Sequence, residues 1–317
     1  MKTIPFSRLL MCLVLMCCVP LGLSQARRAT SAAPQIDVED YLVQAVLTPD
    51  AHEMKVAAQV TFKSLETTDV VVFEMSENLS VSKVTDDKGV EIEFGQDETG
   101  PGLLTLRFPK PLEAGSVTKI KFEYSGGFDR DRYSRLYMRD ESSAYIGMDG
   151  TYVLYSAKWF PVNKFLVDRA TSRLEVTVPL GMTAIGAGVQ APVVTKGISE
   201  TFGWLAKQPI LPNSFLAGRY FERKVQAGEF FIDCFAREDR MAAIQQSAEV
   251  LGKILGYYQR TFGASASGAN FRLVEVDDRL VAQPGMLGTV FITHRELAEG
   301  SPPMRQLARR AAYQWWM

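Results

Sequence analysis

Residues 41–62 read YLVQAVLTPDAHEMKVAAQVTF, and apolar side chains alternate with polar ones on both sides of a central turn. The alternation runs over 41–47 and again over 54–62, while Thr48-Pro49-Asp50-Ala51 separates the two runs. A period of two residues is typical of a half-buried strand, and Pro near the start of the connection fits a β-turn. This stretch therefore predicts a β-hairpin near the beginning of the folded region.

The same pattern continues as far as about residue 237. Further predicted strands cover residues 70–73, 79–84, 90–94, 103–108, 118–124, 152–156, 173–178, 183–187, 215–220 and 230–235. Turn-forming clusters such as Asp86-Asp87-Lys88-Gly89 lie between them. The predicted fold class is mainly β, with one large antiparallel β domain.

The pattern changes after Arg237. Apolar residues then recur at spacings of three and four from Met241 to Phe262, which predicts one long amphipathic helix that ends at Gly263 and packs against a sheet. Strands are predicted at 271–276 and 286–293. A final helix is predicted to open at Ser301-Pro302-Pro303 and to carry Trp315 and Trp316.

The first 26 residues have the pattern of a secretory signal peptide. A short basic start precedes an apolar run, and small residues at Ser24 and Ala26 offer a cleavage site. We therefore expect an exported protein, periplasmic or extracellular, with no stable membrane span beyond this segment; a retained anchor is the alternative. Three of the four cysteines lie in 1–26, so Cys234 is expected to be a buried thiol without an intrachain partner.

Composition narrows the classes of function. The chain of 317 residues is 47% hydrophobic and 22% charged, which excludes wholesale disorder. Its 35 Lys and Arg residues nearly balance 36 Asp and Glu residues. That balance argues against a nucleic-acid-binding surface.

Five short signatures occur in a telling order along the chain. They are the Tyr-x-Val-x-x-x-Leu-x-Pro strand from Tyr41, Trp159-Phe160-Pro161, Gly218-Arg219-Tyr220, Pro284-Gly285-Met286 and Gln314-Trp315-Trp316. Together they resemble the gluzincin aminopeptidases, the membrane-alanyl-aminopeptidase-like zinc metallopeptidases. The resemblance implies a saddle-like β domain over residues 27–225 and the start of a thermolysin-like α/β domain over 226–317.

The resemblance also shows where the zinc motif departs from the family. An H-E-x-x-H helix running into Gln-Trp-Trp would place its His, Glu and His at Arg309, Arg310 and Tyr313. Arginine offers no lone pair to a metal, so we predict no catalytic residue, no metal ligand and no cofactor here, where the family holds zinc. Arg309 and Arg310 are expected to be solvated charges on the helix.

The second family motif, G-x-M-E-N, binds the substrate's amino terminus. Its counterpart here gives Gly285, Met286 and Leu287 as candidate substrate-binding residues. Leu287 stands where the family has Glu, and an apolar side chain cannot pair with an ammonium group. The nearby Asp277-Asp278-Arg279 is expected to be a surface turn, with a place in the lining of a cleft as the alternative.

Three functional hypotheses follow. The chain is a secreted non-catalytic relative whose β domain binds a peptide or protein, or a truncated copy without settled activity, or a zinc aminopeptidase whose remaining catalytic residues lie outside this sequence. The substituted zinc motif leans against an enzyme. Trp315 and Trp316 are expected to be exposed together, which predicts self-association.

Overall fold

The computed structural model describes residues 35–97, 102–129, 143–280, 283 and 285–316, so the predicted signal peptide lies outside it. Most of the described residues are in strands. In chain order these are β1 (Ile36–Thr48), β2 (Glu53–Ser64), β3 (Thr68–Glu74), β4 (Leu79–Asp86), β5 (Glu93–Gln96), β6 (Leu103–Leu112), β7 (Val117–Gly127), β8 (Ala144–Tyr145), β9 (Thr151–Val153), β10 (Ala170–Pro179), β11 (Thr183–Gly186), β12 (Val189–Gln190), β13 (Val194–Lys196), β14 (Ser199–Ile210), β15 (Phe215–Gly218), β16 (Phe221–Ala227), β17 (Phe230–Ala236), β18 (Asn270–Val276), β19 (Gly285–Met286) and β20 (Thr289–Thr293).

In the part of the chain that the structure describes, every α-helix follows β17, and short 3-10 turns also occur before it. The α-helices are α1 (Met241–Phe262), α2 (His294–Ala298) and α3 (Met304–Ala312). The long helix is confirmed, and it ends at Gly263, whose φ of 86° is in the left-handed region that glycine adopts easily. In the described ranges, no helix has both the length and the apolar character needed to cross a membrane.

The final helix is shorter than the sequence predicts. Its last turn tightens into a 3-10 turn over Tyr313–Trp315, so Trp315 and Trp316 lie past the end of α3. Helix ends commonly tighten in this way, because i→i+3 bonds satisfy carbonyls that the α-helix leaves free.

The largest sheet contains the predicted hairpin. Its strand order is β12-β14-β10-β1-β2-β7-β4, with β13 also paired to β14, and β1 pairs with β10 in parallel. The hairpin is in register from Thr48↔Glu53 to Asp40↔Thr61, and the register shifts at an irregularity between Val38 and Asp40. One face is buried, as the alternation predicted: Val43, Val60 and Phe62 are fully covered, and the small sheet β3-β6-β5 packs on them through Phe73.

A four-stranded sheet in the order β11-β15-β9-β8 completes the β region. The Trp159-Phe160 signature is fully buried beside it, where the Trp159 ring packs against Phe215. Trp159 Nε1 donates to the carbonyl oxygen of Asn213 at 2.7 Å. This signature therefore organises the core of the β region.

A fourth sheet has five strands in the order β16-β17-β18-β20-β19. It begins at Phe221, so the predicted domain boundary at residue 225 falls inside its first strand. Helix α1 covers one face of this sheet through Leu251 and Leu255. Cys234 is buried there, as predicted, and burial raises the pKa of its thiol to about 12.

The predicted single strand over residues 286–293 is wrong. The chain folds back at Leu287-Gly288 to form the β19–β20 hairpin, and Gly288 has a φ of 73°. Glycine accepts this left-handed conformation at little cost, so the turn interrupts an otherwise apolar run. The face of the sheet opposite α1 packs on the β region through Val274 and Phe291.

Candidate functional site

A cleft of about 500 Å³ lies where the four-stranded and five-stranded sheets meet. The β region contributes Tyr145, Asp149 and Tyr220, and the end of β18 contributes Glu275 and Asp277. Carboxyl ends of parallel strands commonly present site residues in sheets of this kind. The cleft therefore combines aromatic walls with several carboxylates.

Glu275 is the most buried charge in this cleft, with a side chain only 1% exposed. Its Oε1 lies 2.8 Å from His294 Nδ1, and its Oε2 accepts from the backbone N–H of Arg237 at 2.7 Å. Burial alone would raise the pKa of Glu275, but these hydrogen bonds and the Arg237 charge bring it below its ordinary value. Glu275 is therefore held as a carboxylate that orients His294.

The opposite wall is built by tyrosines and a second ion pair. Tyr145 donates to Asp149 Oδ1 at 2.8 Å, and the guanidinium of Arg279 lies over the Tyr145 ring at 5.8 Å. Arg279 also forms a bidentate pair with Asp277, with both N–O distances at 2.9 Å. Of the two alternatives for residues 277–279, the structure favours cleft lining for Asp277, while Asp278 begins a short 3-10 turn.

The position where the family resemblance puts the catalytic Glu holds a buried cation. Arg310 is 3% exposed, and its guanidinium donates to both carboxylate oxygens of Glu296 at 2.7 and 3.1 Å. It also donates to the carbonyl oxygen of Phe291 at 3.0 Å. The expectation that Arg310 is solvated is wrong; the side chain joins α3 to β20 and α2.

Glu296 also caps the start of helix α2. It completes a capping box at the start of α2, where its side chain accepts from the Thr293 N–H and the Thr293 hydroxyl accepts from the Glu296 N–H. Both oxygens of Glu296 are therefore committed to Arg310 and to the helix cap. The ion pair fixes the orientation of α2 relative to α3.

The other two motif positions face solvent. Arg309 is exposed, as predicted, and Tyr313 is 43% exposed. This donor set does not fit zinc, because two guanidinium groups offer no lone pair and one phenol supplies a single oxygen. Among the residues that the structure describes, no three His, Cys, Asp or Glu side chains come together as a metal site.

Gln314 of the Gln-Trp-Trp signature has a role that the sequence did not reveal. Its side chain is buried and binds the β19–β20 turn: Oε1 accepts from Gly288 N–H at 2.8 Å, while Nε2 lies 3.2 Å from the Met286 carbonyl oxygen. Of the candidate substrate-binding residues, Met286 is buried and Gly285 is partly buried. Leu287 lines a second pocket rather than the cleft.

The two tryptophans behave differently. Trp315 is partly buried: its Nε1 donates to the Gly263 carbonyl oxygen at 2.8 Å, and its ring packs on Tyr258. Trp316 is 62% exposed and contacts Phe262, which is itself 49% exposed. The expected apolar surface is therefore centred on Trp316 and Phe262.

We expect the variant Trp316→Ser to reduce self-association. The loss of stability should be small, because the Trp316 ring is mostly exposed in the folded chain. Sedimentation velocity over a concentration series measures the change. The variant Tyr257→Ser, at another exposed aromatic on α1, is the control. Deleting residues 301–317 would not be a clean test of self-association, because Leu307 and Ala311 belong to the core. Unchanged association in Trp316→Ser would contradict the prediction.

We expect Glu275→Gln to destabilise the protein by about 1.5–3 kcal/mol near neutral pH, because hydrogen bonds to a buried charge are lost. The pKa of Glu275 is lowered on folding, so its carboxylate stabilises the protein above the unfolded pKa of about 4.3. That contribution disappears as the pH falls through the lower folded pKa. Urea unfolding from pH 7 to pH 3 should show the two proteins converging, whereas the exposed Glu299→Gln should follow the parent throughout.

Comparison with known proteins places these features in a known fold. No protein-family model and no curated protein matches the sequence. Among solved structures, the chain is similar to an M1 zinc metallopeptidase from Deinococcus radiodurans, with a TM-score of 0.63 and 16% identity over 89% of this chain and 65% of that one. A mutant of that enzyme bound to a Tyr-Ser-Ala substrate gives a TM-score of 0.61, with the same identity and coverage.

A two-domain M1 zinc metallopeptidase mutant bound to L-tryptophan gives a TM-score of 0.64, at 16% identity over 89% of this chain and 66% of that one. The chain thus spans about two thirds of the length of the solved structures that it matches. The described residues, which are mainly β with helices α1 to α3 near the carboxyl-terminal end, share their fold with the M1 zinc metallopeptidases.

Proposed function

We propose that this chain is a peptide-binding relative of the M1 zinc metallopeptidases, and that it does not hydrolyse peptides by zinc chemistry. One observation carries the proposal: Arg310, at the position of the family's general base, is fixed in a buried ion pair with Glu296. A side chain held in this way can neither bind a metal nor accept a proton. The cleft nevertheless offers aromatic surface together with carboxylates such as Asp149.

The cleft chemistry favours a peptide with a free amino group. Asp149 is exposed at the rim, and its carboxylate can pair with an ammonium group. The rings of Tyr152 and Tyr220, with Leu280, supply apolar surface for the side chain of a first residue. Glu275 is buried and hydrogen-bonded to His294 and Arg237, whereas Asp149 is exposed at the rim, so we assign the ligand's ammonium to Asp149.

Peptide titration tests the binding part of this proposal. Tyr-Ser-Ala should bind the full chain saturably, and its N-acetylated form should bind about tenfold more weakly, which corresponds to about 1.4 kcal/mol. Asp149→Asn should weaken the binding of the free peptide by a similar factor and leave the binding of the acetylated peptide unchanged. Asp50→Asn, at an exposed carboxylate in the first hairpin turn, is the matched control. Equal binding of both peptides to all variants would refute the assignment.

Assays of hydrolysis and metal content separate this proposal from the alternative, a zinc aminopeptidase with further catalytic residues outside this sequence. The fold of the solved neighbours is what favours that alternative. We expect no release of arylamine from amino-acid arylamides, with or without added zinc. One tightly bound zinc per chain together with chelator-sensitive hydrolysis would establish the alternative instead.

We further propose that the protein is exported after removal of residues 1–26. The basic start and apolar run of that segment support this. Intact mass of the exported protein should correspond to a chain that begins at or near Arg27. A mass that includes the apolar run would favour a retained anchor.

A further inference from the structure

A second pocket, of about 410 Å³, lies at the opposite end of β18 from the cleft. The cleft uses Glu275 and Asp277 near the carboxyl end of this strand, whereas the second pocket uses Arg272 near its start. Leu205 on β14 and Leu287 in the β19–β20 turn form its apolar walls. We call it the distal pocket.

Arg272 is an incompletely paired charge in the distal pocket. Its side chain is partly buried, and Nη1 donates to the carbonyl oxygen of Gly186 at 3.1 Å. In the described ranges, this is its one side-chain hydrogen bond, and no carboxylate lies within 4 Å of the guanidinium. Burial lowers the pKa of Arg272, while the more distant charges of Asp233 and Glu222 oppose that change. Most of its N–H donors thus lack a protein acceptor.

Two hydroxyl groups near Arg272 also lack partners. Ser267 lines the distal pocket, and its Oγ is inaccessible to solvent without a hydrogen-bond partner among the described residues. Thr289 is the cross-strand partner of Arg272 and is fully buried, and its Oγ1 is likewise unpaired in the described part of the chain. Buried hydroxyls are nearly always hydrogen-bonded in native proteins. Arg272 and Ser267 thus both line the distal pocket with donors that have no acceptor among the described residues, while Thr289 lies next to Arg272 on the neighbouring strand.

The charge balance indicates the kind of anion. Arg272 and the exposed Lys207 at the rim face one carboxylate, Asp233, which gives the lining a net charge of one positive unit. This balance suits a single negative charge better than a doubly charged phosphate. The planar guanidinium matches a carboxylate in a bidentate arrangement.

We propose that the distal pocket binds the carboxylate of a small apolar acid or of a peptide carboxyl terminus. Arg272 pairs with the carboxylate, Ser267 donates a hydrogen bond to it, and Leu205 and Leu287 contact the aliphatic part. The site is separate from the cleft, so its test is independent of the proposed peptide-binding function.

Titration of the full chain with N-acetyl-leucine and with N-acetyl-leucinamide tests the proposal, because the two differ only in the charged group. The acid should bind at least about tenfold more tightly than the amide. An acetylated tripeptide with a free carboxyl terminus that binds more tightly than the acid identifies a peptide as the source. Tighter binding of the small acid identifies an organic acid.

Variants test the residues. Arg272→Met should reduce binding of the acid by about tenfold. Arg272→Lys should reduce it by less, since the ammonium keeps the positive charge but not the two parallel N–H donors of the guanidinium. Ser267→Ala should reduce it about two- to tenfold, the equivalent of one hydrogen bond. Arg223→Met, at an exposed guanidinium on the same sheet, should change nothing.

If Arg272→Met does not fold, Ser267→Ala and Lys207→Gln decide the question, because neither side chain supports the core. Circular dichroism confirms that each variant is folded. Equal affinity for acid and amide, or no saturable binding of the acid, would overturn the proposal. In that case an ordered water is the partner of the two hydroxyls.

Discussion

Arg310→Met should destabilise the protein by about 3–5 kcal/mol, the usual cost of removing one partner from a buried ion pair. The change leaves the Glu296 carboxylate, which is 7% exposed, without its counter-charge. It also removes the hydrogen bond from Arg310 to the Phe291 carbonyl oxygen on β20. Urea unfolding monitored by tryptophan fluorescence measures the loss.

Arg309→Met is the matched control for this change. The two arginines are adjacent on α3, but Arg309 is exposed and should alter stability by less than about 0.5 kcal/mol. Combining Arg310→Met with Glu296→Gln should recover part of the loss, because the buried negative charge is then also removed. Similar unfolding midpoints for Arg309→Met and Arg310→Met would contradict the assigned role of the ion pair.

Much of the β region could be predicted because alternation within a strand is a local signal, although the long strand β14 was not among the predicted strands. Alternation in the first hairpin depends on neighbouring residues in the chain, and the structure buries the expected face of Val43 and Val60. The parallel pairing of β1 with β10 has no such local signal, since it joins residues about 130 positions apart. The β19–β20 turn was missed because a glycine interrupts a run that is apolar on both sides.

The candidate site was harder to predict because its groups meet only through tertiary contacts. The Glu275–His294 pair joins residues separated by 19 positions, and the sequence gives no spacing that marks them. Arg310 resembles Arg309 in sequence, yet only one of them is buried. That difference arises from Glu296 on α2, whose position depends on the packing of the sheet beneath it. Motif comparison located the substituted positions but could not show that one of them had become structural.

Introducing the H-E-x-x-H motif of zinc metallopeptidases at residues 309–313 should damage this protein rather than activate it. The triple change Arg309→His, Arg310→Glu and Tyr313→His puts a second carboxylate against Glu296 in a site that is nearly closed to solvent. Two buried carboxylates repel each other, and neither is solvated. The free energy of unfolding should therefore fall by at least about 3–5 kcal/mol, the cost of breaking a buried ion pair. We also expect no stoichiometric zinc, because two imidazoles supply only half of a tetrahedral shell.

The pH dependence distinguishes this mechanism from general disruption of the helix. Crowding raises the folded pKa of the paired carboxylates, so protonation relieves the repulsion and the triple variant should approach the parent protein as the pH falls from 7 towards 5. The double variant Arg309→His with Tyr313→His changes only exposed positions and should stay close to the parent at every pH. Adding Glu296→Gln to the triple variant should restore much of its stability at pH 7, because a neutral amide replaces one of the two charges. If the triple variant is instead as stable as the parent and binds one zinc per chain, position 310 is not governed by its contact with Glu296.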